Sequence, residues 1–355
     1  MSALKDVLAR LVEGQGLSSS EAEAALREIM SGNSSPAQMA AFLTAMRMKG
    51  ETEEELYGMA RLMRELCVKV ELGDSSQAID IVGTGGDRVK TINVSTISSL
   101  IVASVGVKVA KHGNRAASGF CGSADLLEEV GVNINLGPDG VRRCVEKCGF
   151  GFMFAPLYHP AMKNVAPVRR ELGFRTFFNL LGPMTNPSGV GVMLVGVSDN
   201  RYLLKVARVF SRLGLERCLI VCSSDGVDEI SIQGMTEACW VERGEIRGWK
   251  ISPGDFGLKP SSLEPAVVRS REDAVKRAVD ILRGRLSSED PNMRLVLVNS
   301  AAALFLSGRC GSLREGVEAA HSAVLEGRVL ETLFKVVELS GGELERCRAL
   351  VGGGA

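Results

Sequence analysis

The sequence predicts an α/β protein with a small all-helical N-terminal domain and a large α/β domain built on a mostly parallel central sheet. Residues 1–72 carry only helix-type spacing of apolar residues. From about residue 76 onward, short apolar runs alternate with helical segments, which is typical of strands joined by helices. These runs lack polar alternation, so we expect parallel strands covered on both faces. We therefore predict domains at 1–72 and 73–355, with part of 160–187 joining the first.

Helix-start signals place the elements of the first domain. A hydroxyl residue stands three positions before Glu or Gln at three places, which is the pattern of a capping box. The pairs are Ser18 with Glu21, Ser35 with Gln38, and Thr52 with Glu55. The predicted helices span residues 3–13, 21–30, 37–48 and 52–67. The third helix is rich in Ala and Met, and two interpretations stay open: a homodimer contact or the domain's own core.

Short apolar runs place the strands of the second domain. The predicted strands span residues 79–82, 107–110, 152–154, 192–197 and 219–222. Residues 240–251 predict a hairpin that turns at Arg243-Gly244. Asp290-Pro291 predicts the start of a helix that contains residues 299–306.

A basic segment, residues 159–187, separates the third and fourth strands. It carries Arg169, Arg170 and Arg175 in an otherwise helical stretch. Stiff turns at 182–183 and 186–187 are predicted to end this helix. We expect the segment to pass back across the helical domain.

Charge and cysteine usage limit the class of protein. Lys+Arg and Asp+Glu both number 42, so the net charge is zero and argues against nucleic-acid or membrane-surface partners. The nine cysteines are odd in number and lack CxxC spacing, which favours structural thiols in a reducing cytosol over a zinc site. No leader peptide and no apolar run of about 18 residues is recognised. We expect a cytoplasmic protein.

Two glycine-bearing loops follow neighbouring strands and predict anion binding. The strand 79–82 runs into Gly83-Thr84-Gly85-Gly86-Asp87, and the strand 107–110 runs into Lys111-His112-Gly113-Asn114-Arg115. Small polar residues then lead into predicted helices at 96–104 and 124–130, whose N-termini favour anions. A ligand with phosphates at both ends would fit. The alternatives are a structural turn for the first loop and a solvated basic turn for the second.

Other polar residues suggest a metal but no acid–base dyad. Asp228-Glu229 follows the strand 219–222, and adjacent carboxylates at a strand end suit Mg²⁺; the alternative is a solvated acidic turn. His112, His159 and His321 have no partner at catalytic or metal-ligand spacing. His159 precedes Pro160 and is expected to line a pocket, with a role as catalytic base the weaker alternative.

Several motifs together resemble the anthranilate phosphoribosyltransferase family. They are DIVGTGGD, TINVST, KHGNRAAS, GSAD, HPAMKNVAPVRRELGFRTFFNLLGPMTNP and DGVDEIS, and the resemblance covers nearly the whole chain. The family implies a cleft between the helical and α/β domains, a homodimer formed through the helical domain, and Mg²⁺. It joins anthranilate to 5-phosphoribosyl 1-diphosphate in tryptophan biosynthesis. The alternatives are a pyrimidine nucleoside phosphorylase-type enzyme, which the KHGNR loop and Arg169 disfavour, and a non-catalytic nucleic-acid-binding relative.

The resemblance also implies roles for individual residues. Contacts to the donor are implied for Gly83, Gly86, Asp87, Thr91, Asn93, Val94, Ser95, Thr96, Lys111, His112, Gly113, Asn114, Arg115, Ala116, Ala117, Ser118, Gly119 and Ser123. Contacts to anthranilate are implied for Gly83, His112, Asn114, His159, Arg169 and Pro183, with Arg169 on the carboxylate. Ser95, Asp228 and Glu229 are the implied Mg²⁺ ligands.

No acid–base catalyst is implied by the resemblance. The positioning roles fall to Lys111, Asn114 and Arg169. An uncharged aromatic amine attacks without a strong base, so positioning and electrostatics are expected to supply most of the rate gain. One departure from the family pattern is Gly119, where a second Ser is usual. Its backbone N–H is expected to replace the missing hydroxyl.

Overall fold

The structure is a computed structural model and describes residues 3–87, 89–116 and 119–352. Its first four helices are α1 (Ala3–Val12), α2 (Ser19–Met30), α3 (Pro36–Lys49) and α4 (Glu53–Leu66). Reciprocal capping boxes form at Ser18, Ser35 and Thr52, so the three predicted capping boxes are confirmed, although α2 begins at Ser19, two residues before the predicted start. The apolar face of α3 is buried within the chain, including Phe42 and Leu43, which confirms the intradomain-core interpretation for these residues.

A seven-stranded sheet forms the centre of the described part of the α/β region. Its strands are β1 (Ile79–Gly83), β2 (Val109–Gly113), β3 (Phe150–Phe154), β4 (Val192–Gly196), β5 (Arg217–Ser223), β6 (Thr236–Glu242) and β7 (Glu245–Ile251). The spatial order is β3-β2-β1-β4-β5-β6-β7. The strands β1 to β5 pair in parallel, whereas β6 and β7 form the predicted antiparallel hairpin. Arg243 and Gly244 at its turn both have positive φ, as a type I′ turn requires.

Helices cover both faces of the sheet. They are α5 (Val94–Ser104), α6 (Ser123–Glu129), α7 (Pro138–Cys148), α8 (Ala155–Tyr158), α9 (Ala166–Leu172), α10 (Phe178–Met184), α11 (Leu203–Arg212), α12 (Arg271–Leu282), α13 (Pro291–Leu306), α14 (Leu313–Leu325), α15 (Arg328–Ser340) and α16 (Leu344–Gly352). One apolar core lies on the face covered by α5 and α13. The other continues from the opposite face into the N-terminal helices. No helix in the described ranges is long and apolar enough to cross a bilayer.

The prediction for the second strand was wrong in its position. The strand was expected at 107–110 but spans Val109–Gly113, so Lys111 and His112 lie in the sheet and not in a loop. Both pair with β3 and both are buried. Burial of a lysine and a histidine depends on partners elsewhere in the chain, which the local pattern does not carry.

The basic segment is broken into short helices, contrary to the single helix predicted. Gly173 ends α9 in the left-handed conformation, with φ 66°, and Arg175 lies between α9 and α10. Gly182 and Pro183 belong to α10 and do not form a turn. The predicted passage across the helical region is confirmed: Asn164 donates to the Met30 carbonyl at 2.7 Å. The segment therefore touches both the helices and the sheet.

The sheet order creates a switch point at β1. The chain moves from β1 to β2 on one side and later returns to β4 on the other. Gly83 and Gly196, the last residues of β1 and β4, are register partners. The loops after these two strands therefore meet at one edge of the sheet, where parallel α/β proteins bind ligands.

Candidate active site

The glycine turn after β1, residues 83–87, packs directly on the acidic segment, Asp228-Glu229. Oδ2 of Asp228 accepts a hydrogen bond from the Gly85 backbone N–H at 2.7 Å. A Cβ added to Gly83 would lie 2.1 Å from the same Oδ2, and one added to Gly196 would lie 1.5 Å from the Asp228 carbonyl oxygen. Glycine at both strand ends is what allows Asp228 to approach this closely.

The N-terminus of α5 faces the same acidic segment. Asn93 precedes α5 without a side-chain capping bond, and its Nδ2 instead donates to the Cys121 carbonyl at 2.8 Å. The Glu229 carboxylate accepts a hydrogen bond from the Ser95 backbone N–H, so this carboxyl lies at the start of the helix. The structure thus brings together residues 83–87, 93–96 and 228–229.

Burial raises the pKa of both carboxyl groups of the acidic segment. Burial raises the pKa of Asp228 to about 6, and the neighbouring Asp87 charge adds to this effect. The pKa of Glu229 is also raised, first by burial and then by Asp228, although Lys111 and the Ser95 N–H oppose the shift. Carboxylates in such surroundings favour a bound cation.

A hard divalent cation fits these oxygens only with further ligands. Among residues 3–87, 89–116 and 119–352, no group of three or more His, Cys, Asp or Glu side chains is arranged to hold a metal alone. Mg²⁺ usually keeps waters and substrate phosphates beside one or two carboxylates. Asp228 and Glu229 match that type of site, and Ser95 lies beside them.

Asn299 on α13 hydrogen-bonds to the backbone of Ile230, the residue that follows the acidic segment. Its Oδ1 accepts from the Ile230 N–H at 2.9 Å, and its Nδ2 donates to the Ile230 carbonyl at 3.0 Å and to the Leu295 carbonyl at 2.8 Å. Asn299 is fully buried. The residue after Glu229 is therefore held on both sides of its backbone, a constraint that the sequence analysis missed.

Lys111 lies beneath the start of α5 and is not a surface group. Its Nζ donates to the Ile81 carbonyl at 2.5 Å and lies 3.4 Å from the Ser95 hydroxyl. Burial lowers its pKa, whereas the charges of Asp80 and Glu229 act in the opposite direction. The alternative of a solvated basic turn is therefore wrong for Lys111, whose ammonium is enclosed at the site.

The rest of the second loop is more exposed. Arg115 pairs with Glu128 and with Asp125, whose Oδ1 lies 3.2 Å from its Nη1. Ser123 Oγ donates to the Asn114 carbonyl at 3.1 Å, which places Asn114 beside the start of α6. Ala116 and Gly119 are exposed, and Ala117 and Ser118 lie outside the described residues.

Two buried histidines lie on the opposite face of the sheet from Lys111. The ring centroids of His112 and His159 are 5.0 Å apart. Burial lowers the pKa of His112 to about 3 and that of His159 to about 4. The two rings bond to the carbonyls of Gly182 and Thr185, on either side of Pro183. Because of these low pKa values both rings are neutral near pH 7, and each buried Nε2, which has no hydrogen-bond partner among the described residues, presents an acceptor atom.

Arg169 on α9 is a half-buried cation. Its guanidinium carbon lies 5.0 Å from the centroid of the Phe178 ring. Within the described ranges no carboxylate or carbonyl pairs with this side chain. Burial lowers its pKa. The arrangement leaves a planar guanidinium available to an anion, and a carboxylate matches its geometry.

Two other polar contacts of the site were not predicted from the sequence. Arg175 donates to the carbonyls of Thr84 and Gly85, so a residue noted without a role reaches the glycine turn. Asp80 Oδ2 accepts from Asn186 Nδ2 at 2.7 Å, which ties the end of the basic segment to β1. Asp80 was a usable signal, because a charged residue inside an apolar strand requires a buried partner.

Comparisons with known proteins show the family of this chain. The family model described as "Glycosyl transferase family, a/b domain" matches residues 75–330, and the helical bundle domain of the same family matches residues 5–67. The anthranilate phosphoribosyltransferase of Aquifex aeolicus is 42% identical over 340 residues, covering 96% of this chain and 99% of the relative. That of Clostridium kluyveri is 44% identical over 325 residues, covering 92% and 96%.

Solved structures of anthranilate phosphoribosyltransferases also match this chain. Anthranilate phosphoribosyltransferase from Thermus thermophilus superposes with a TM-score of 0.86 at 38% identity, covering 96% of this chain and 100% of that chain. The Saccharomyces cerevisiae protein, in complex with PRPP and Mg, has a TM-score of 0.88 at 25% identity, covering 95% and 98%. The chain therefore belongs to the glycosyl transferase family, and within it to the anthranilate phosphoribosyltransferases.

Proposed function

We propose that this chain transfers the 5-phosphoribosyl group of 5-phosphoribosyl 1-diphosphate to the amine of anthranilate. The products are N-(5-phosphoribosyl)anthranilate and diphosphate, and the reaction belongs to L-tryptophan biosynthesis. The observation that carries the proposal is the contact of Asp228 with Gly85, which joins the acidic segment to the glycine turn at the switch point of the sheet. The identity to curated anthranilate phosphoribosyltransferases supports it over nearly the whole chain.

The donor is proposed to bind between the glycine turn, the start of α5 and the second loop. Gly85 and Gly86 have positive φ, so the turn brings bare backbone close to a ligand. The N-terminus of α5 carries partial positive charge that suits phosphate. Direct contacts are proposed for the donor set named above, and those of Ala117 and Ser118 remain sequence-based.

Mg²⁺ is the proposed cation, with Ser95, Asp228 and Glu229 as its ligands. A Saccharomyces cerevisiae relative was solved with PRPP and Mg, which supports this choice. When bound, Mg²⁺ neutralises charge on the diphosphate leaving group. Asp228 and Glu229 supply hard oxygen ligands, and the Nζ of Lys111 lies 3.4 Å from the Ser95 hydroxyl.

Anthranilate is proposed to bind on the other side of the turn. Apart from the Phe178 ring, the guanidinium of Arg169 has no hydrogen-bond or ion-pair partner within the described residues, and it is assigned to the carboxylate. His112, His159 and Pro183 line the approach, with Gly83 and Asn114 near the donor. A relative from Saccharomyces cerevisiae was solved with 4-fluoroanthranilate, which supports an acceptor of this class.

The reaction needs little proton transfer before bond formation. The C1–oxygen bond to diphosphate weakens and leaves positive charge on the ribose, while the amine lone pair forms the new C1–nitrogen bond. The proton on the resulting anilinium nitrogen is then released. Neutral imidazoles with pKa values of about 3 and 4 are weak bases, so His112 and His159 suit packing and orientation better than proton abstraction.

The test of the proposed function is the loss of anthranilate fluorescence when the purified protein receives 5-phosphoribosyl 1-diphosphate and Mg²⁺. We expect turnover that depends on all three components. A parallel reaction with uridine or thymidine and phosphate should release no base. Absence of fluorescence loss from a folded, metal-supplied sample, or base release in the second reaction, would reject the proposal.

The assembly and location are also proposals. We propose a cytoplasmic homodimer formed through residues 1–72, with 73–355 as the donor-binding domain. Val12 at the end of α1 and Met48 near the end of α3 support a contact there, because both apolar side chains are largely exposed. Light scattering after gel filtration measures the mass; a monomer at micromolar concentration contradicts the dimer.

A further inference from the structure

The side chain of Arg175 binds the backbone carbonyl oxygens of the glycine turn. One guanidinium nitrogen, Nη2, donates to the Gly85 carbonyl at 2.5 Å and to the Thr84 carbonyl at 3.2 Å. The other, Nη1, donates to the Ser198 hydroxyl at 3.0 Å, and that hydroxyl lies 3.3 Å from the Gly85 carbonyl oxygen. Two carbonyl dipoles of the turn are therefore directed at one cation.

The other side of this turn is left with free donors. The Gly85 N–H is used by Asp228. For the N–H groups of Gly86 and Asp87, the described residues provide no acceptor. Carbonyl oxygens would repel a phosphate, whereas backbone N–H groups attract one. By holding the carbonyls, Arg175 keeps the repelling side of the turn away from an incoming anion.

The fit between the guanidinium and the turn is tight. A Cβ added to Gly86 would lie 1.8 Å from Nη1 of Arg175, so the cation rests directly on glycine backbone. Gly86 also has φ 76°, a conformation that other residues rarely adopt. A planar fork can serve two carbonyls and a hydroxyl together, which a lysine ammonium on a flexible stem does less well.

Arg175 also connects two parts of the site along the chain. It lies six positions after Arg169, beyond the end of α9 at Gly173. The same basic segment therefore carries a guanidinium without a partner and a guanidinium fixed to the donor-side turn. The second one contacts protein backbone and the Ser198 hydroxyl, so its effect on a ligand passes through the turn.

We propose that Arg175 is a positioning residue for the donor. It orients the N–H groups of Gly86 and Asp87 toward a phosphate of the sugar diphosphate by holding the carbonyls of Thr84 and Gly85. The inference rests on the proposed function, because it assigns the anion at the turn to that donor. It predicts that Arg175 governs donor affinity and leaves acceptor affinity nearly unchanged.

The test compares Arg175→Gln and Arg175→Lys with Arg170→Gln, which removes an exposed guanidinium from the same segment. Isothermal titration with 5-phosphoribosyl 1-diphosphate and Mg²⁺, without anthranilate, measures donor affinity directly; steady-state assays give both KM values. We expect Arg175→Gln to weaken donor binding about tenfold or more, since charge-assisted hydrogen bonds are lost. Arg175→Lys should recover part of this loss, and Arg170→Gln should match the wild type.

A milder variant keeps the inference testable if Arg175→Gln fails to fold. Ser198→Ala leaves Arg175 in place but removes its orienting hydroxyl, and it should weaken donor binding about twofold to fivefold with an unchanged anthranilate KM. Donor affinity unchanged in folded Arg175 variants, or equal losses for both substrates, overturns the inference. If the wild type itself shows no transferase activity, the proposed function fails first, and the two failures are thus distinguishable.

Discussion

The two halves of the site, which we call the donor side and the acceptor side after the substrates proposed for them, are built differently. On the donor side, Asp228 holds Gly85, Asn299 holds Ile230, and Arg175 holds two carbonyls, so the polar groups that shape it are already paired within the protein. On the acceptor side, the described residues offer no hydrogen-bond partner to the buried Nε2 atoms of the two histidines or to the guanidinium of Arg169, which lies over the Phe178 ring. On the donor side the protein itself holds the shaping groups and leaves backbone N–H groups to a ligand, whereas on the acceptor side it is side chains that lack partners.

Two neighbouring residues show how one strand serves both sides. Lys111 and His112 are consecutive in β2, so their side chains point to opposite faces of the sheet. Lys111 lies beside Ser95 on the donor side, whereas His112 lies near His159 on the acceptor side. An unpaired buried polar atom costs about 1–3 kcal/mol. Such atoms are therefore tolerated best where a ligand supplies the partner.

The largest effect is expected from Asp228→Asn, which changes the donor side. Asparagine can still accept from the Gly85 N–H, but it removes the negative charge proposed to hold the cation. We expect kcat/KM for the donor to fall about 100-fold to 1000-fold with the fold retained. Glu237→Gln is the control, because Glu237 pairs with Lys250 at the surface of the neighbouring hairpin. A fall below about threefold contradicts the assignment.

Arg169→Ala changes the acceptor side alone. Because this guanidinium contacts no donor-side group among the described residues, we expect the anthranilate KM to rise about tenfold to 100-fold while the donor KM stays within about twofold. Steady-state fluorescence assays with each substrate varied measure both constants. Arg170→Ala, at the exposed neighbouring position, should leave them unchanged. Parallel rises in both KM values would show that the two sides are not separable.

Acidification should destabilise the protein through the acceptor-side histidines. Their folded pKa values of about 3 and 4 lie below the value of 6.5 for a free imidazole, so unfolding takes up protons below about pH 6.5. The stabilising contribution is complete above that pH and is lost as the pH falls, by about 1.4 kcal/mol per pH unit for each ring.

His159→Gln isolates one of these rings. Between pH 6.5 and 5, urea unfolding should show the wild type losing about 2 kcal/mol more of its unfolding free energy than the variant loses. Asp80, whose burial raises its pKa to about 6, opposes the trend but is present in both proteins. Lys69, whose charge adds to the shift of His159, is likewise unchanged. Parallel pH profiles would contradict the neutral buried state of this ring.

A smaller catalytic effect than those of Asp228→Asn and Arg169→Ala is expected from Asn299→Leu. The near-isosteric change unpairs the Ile230 backbone below the acidic segment. We expect the Mg²⁺ concentration for half-maximal activity to rise about threefold to tenfold, with a lower melting temperature. Ser300→Ala is the matched control, because this buried hydroxyl on the same helix has no hydrogen-bond partner in the described structure. Equal Mg²⁺ dependence in both variants would remove Asn299 from the donor side.

Prediction from the sequence succeeded where the signal is local. The capping boxes at Ser18, Ser35 and Thr52 were identified because each joins residues three positions apart. The prediction of a single helix within 159–187 was wrong, because the helical pattern breaks between α9 and α10. Arg175 lies at this break and contacts Gly85 of the glycine turn, 90 positions away in the sequence. Prediction from the sequence also misplaced β2, because the burial of Lys111 and His112 depends on groups contributed by other strands and loops.

The sequence by itself determined the helical and α/β regions, the glycine turns, the acidic pair and the family, since short-range patterns and contiguous motifs carry each of them. Only the tertiary structure decided that Asp228 meets Gly85 across 143 positions and that Asn299 anchors Ile230 across 69. The physical reason is that a hydrogen bond or an ion pair acts over a few ångströms of space. Which distant residues come that close is fixed by the order of the strands and the packing of the helices around them.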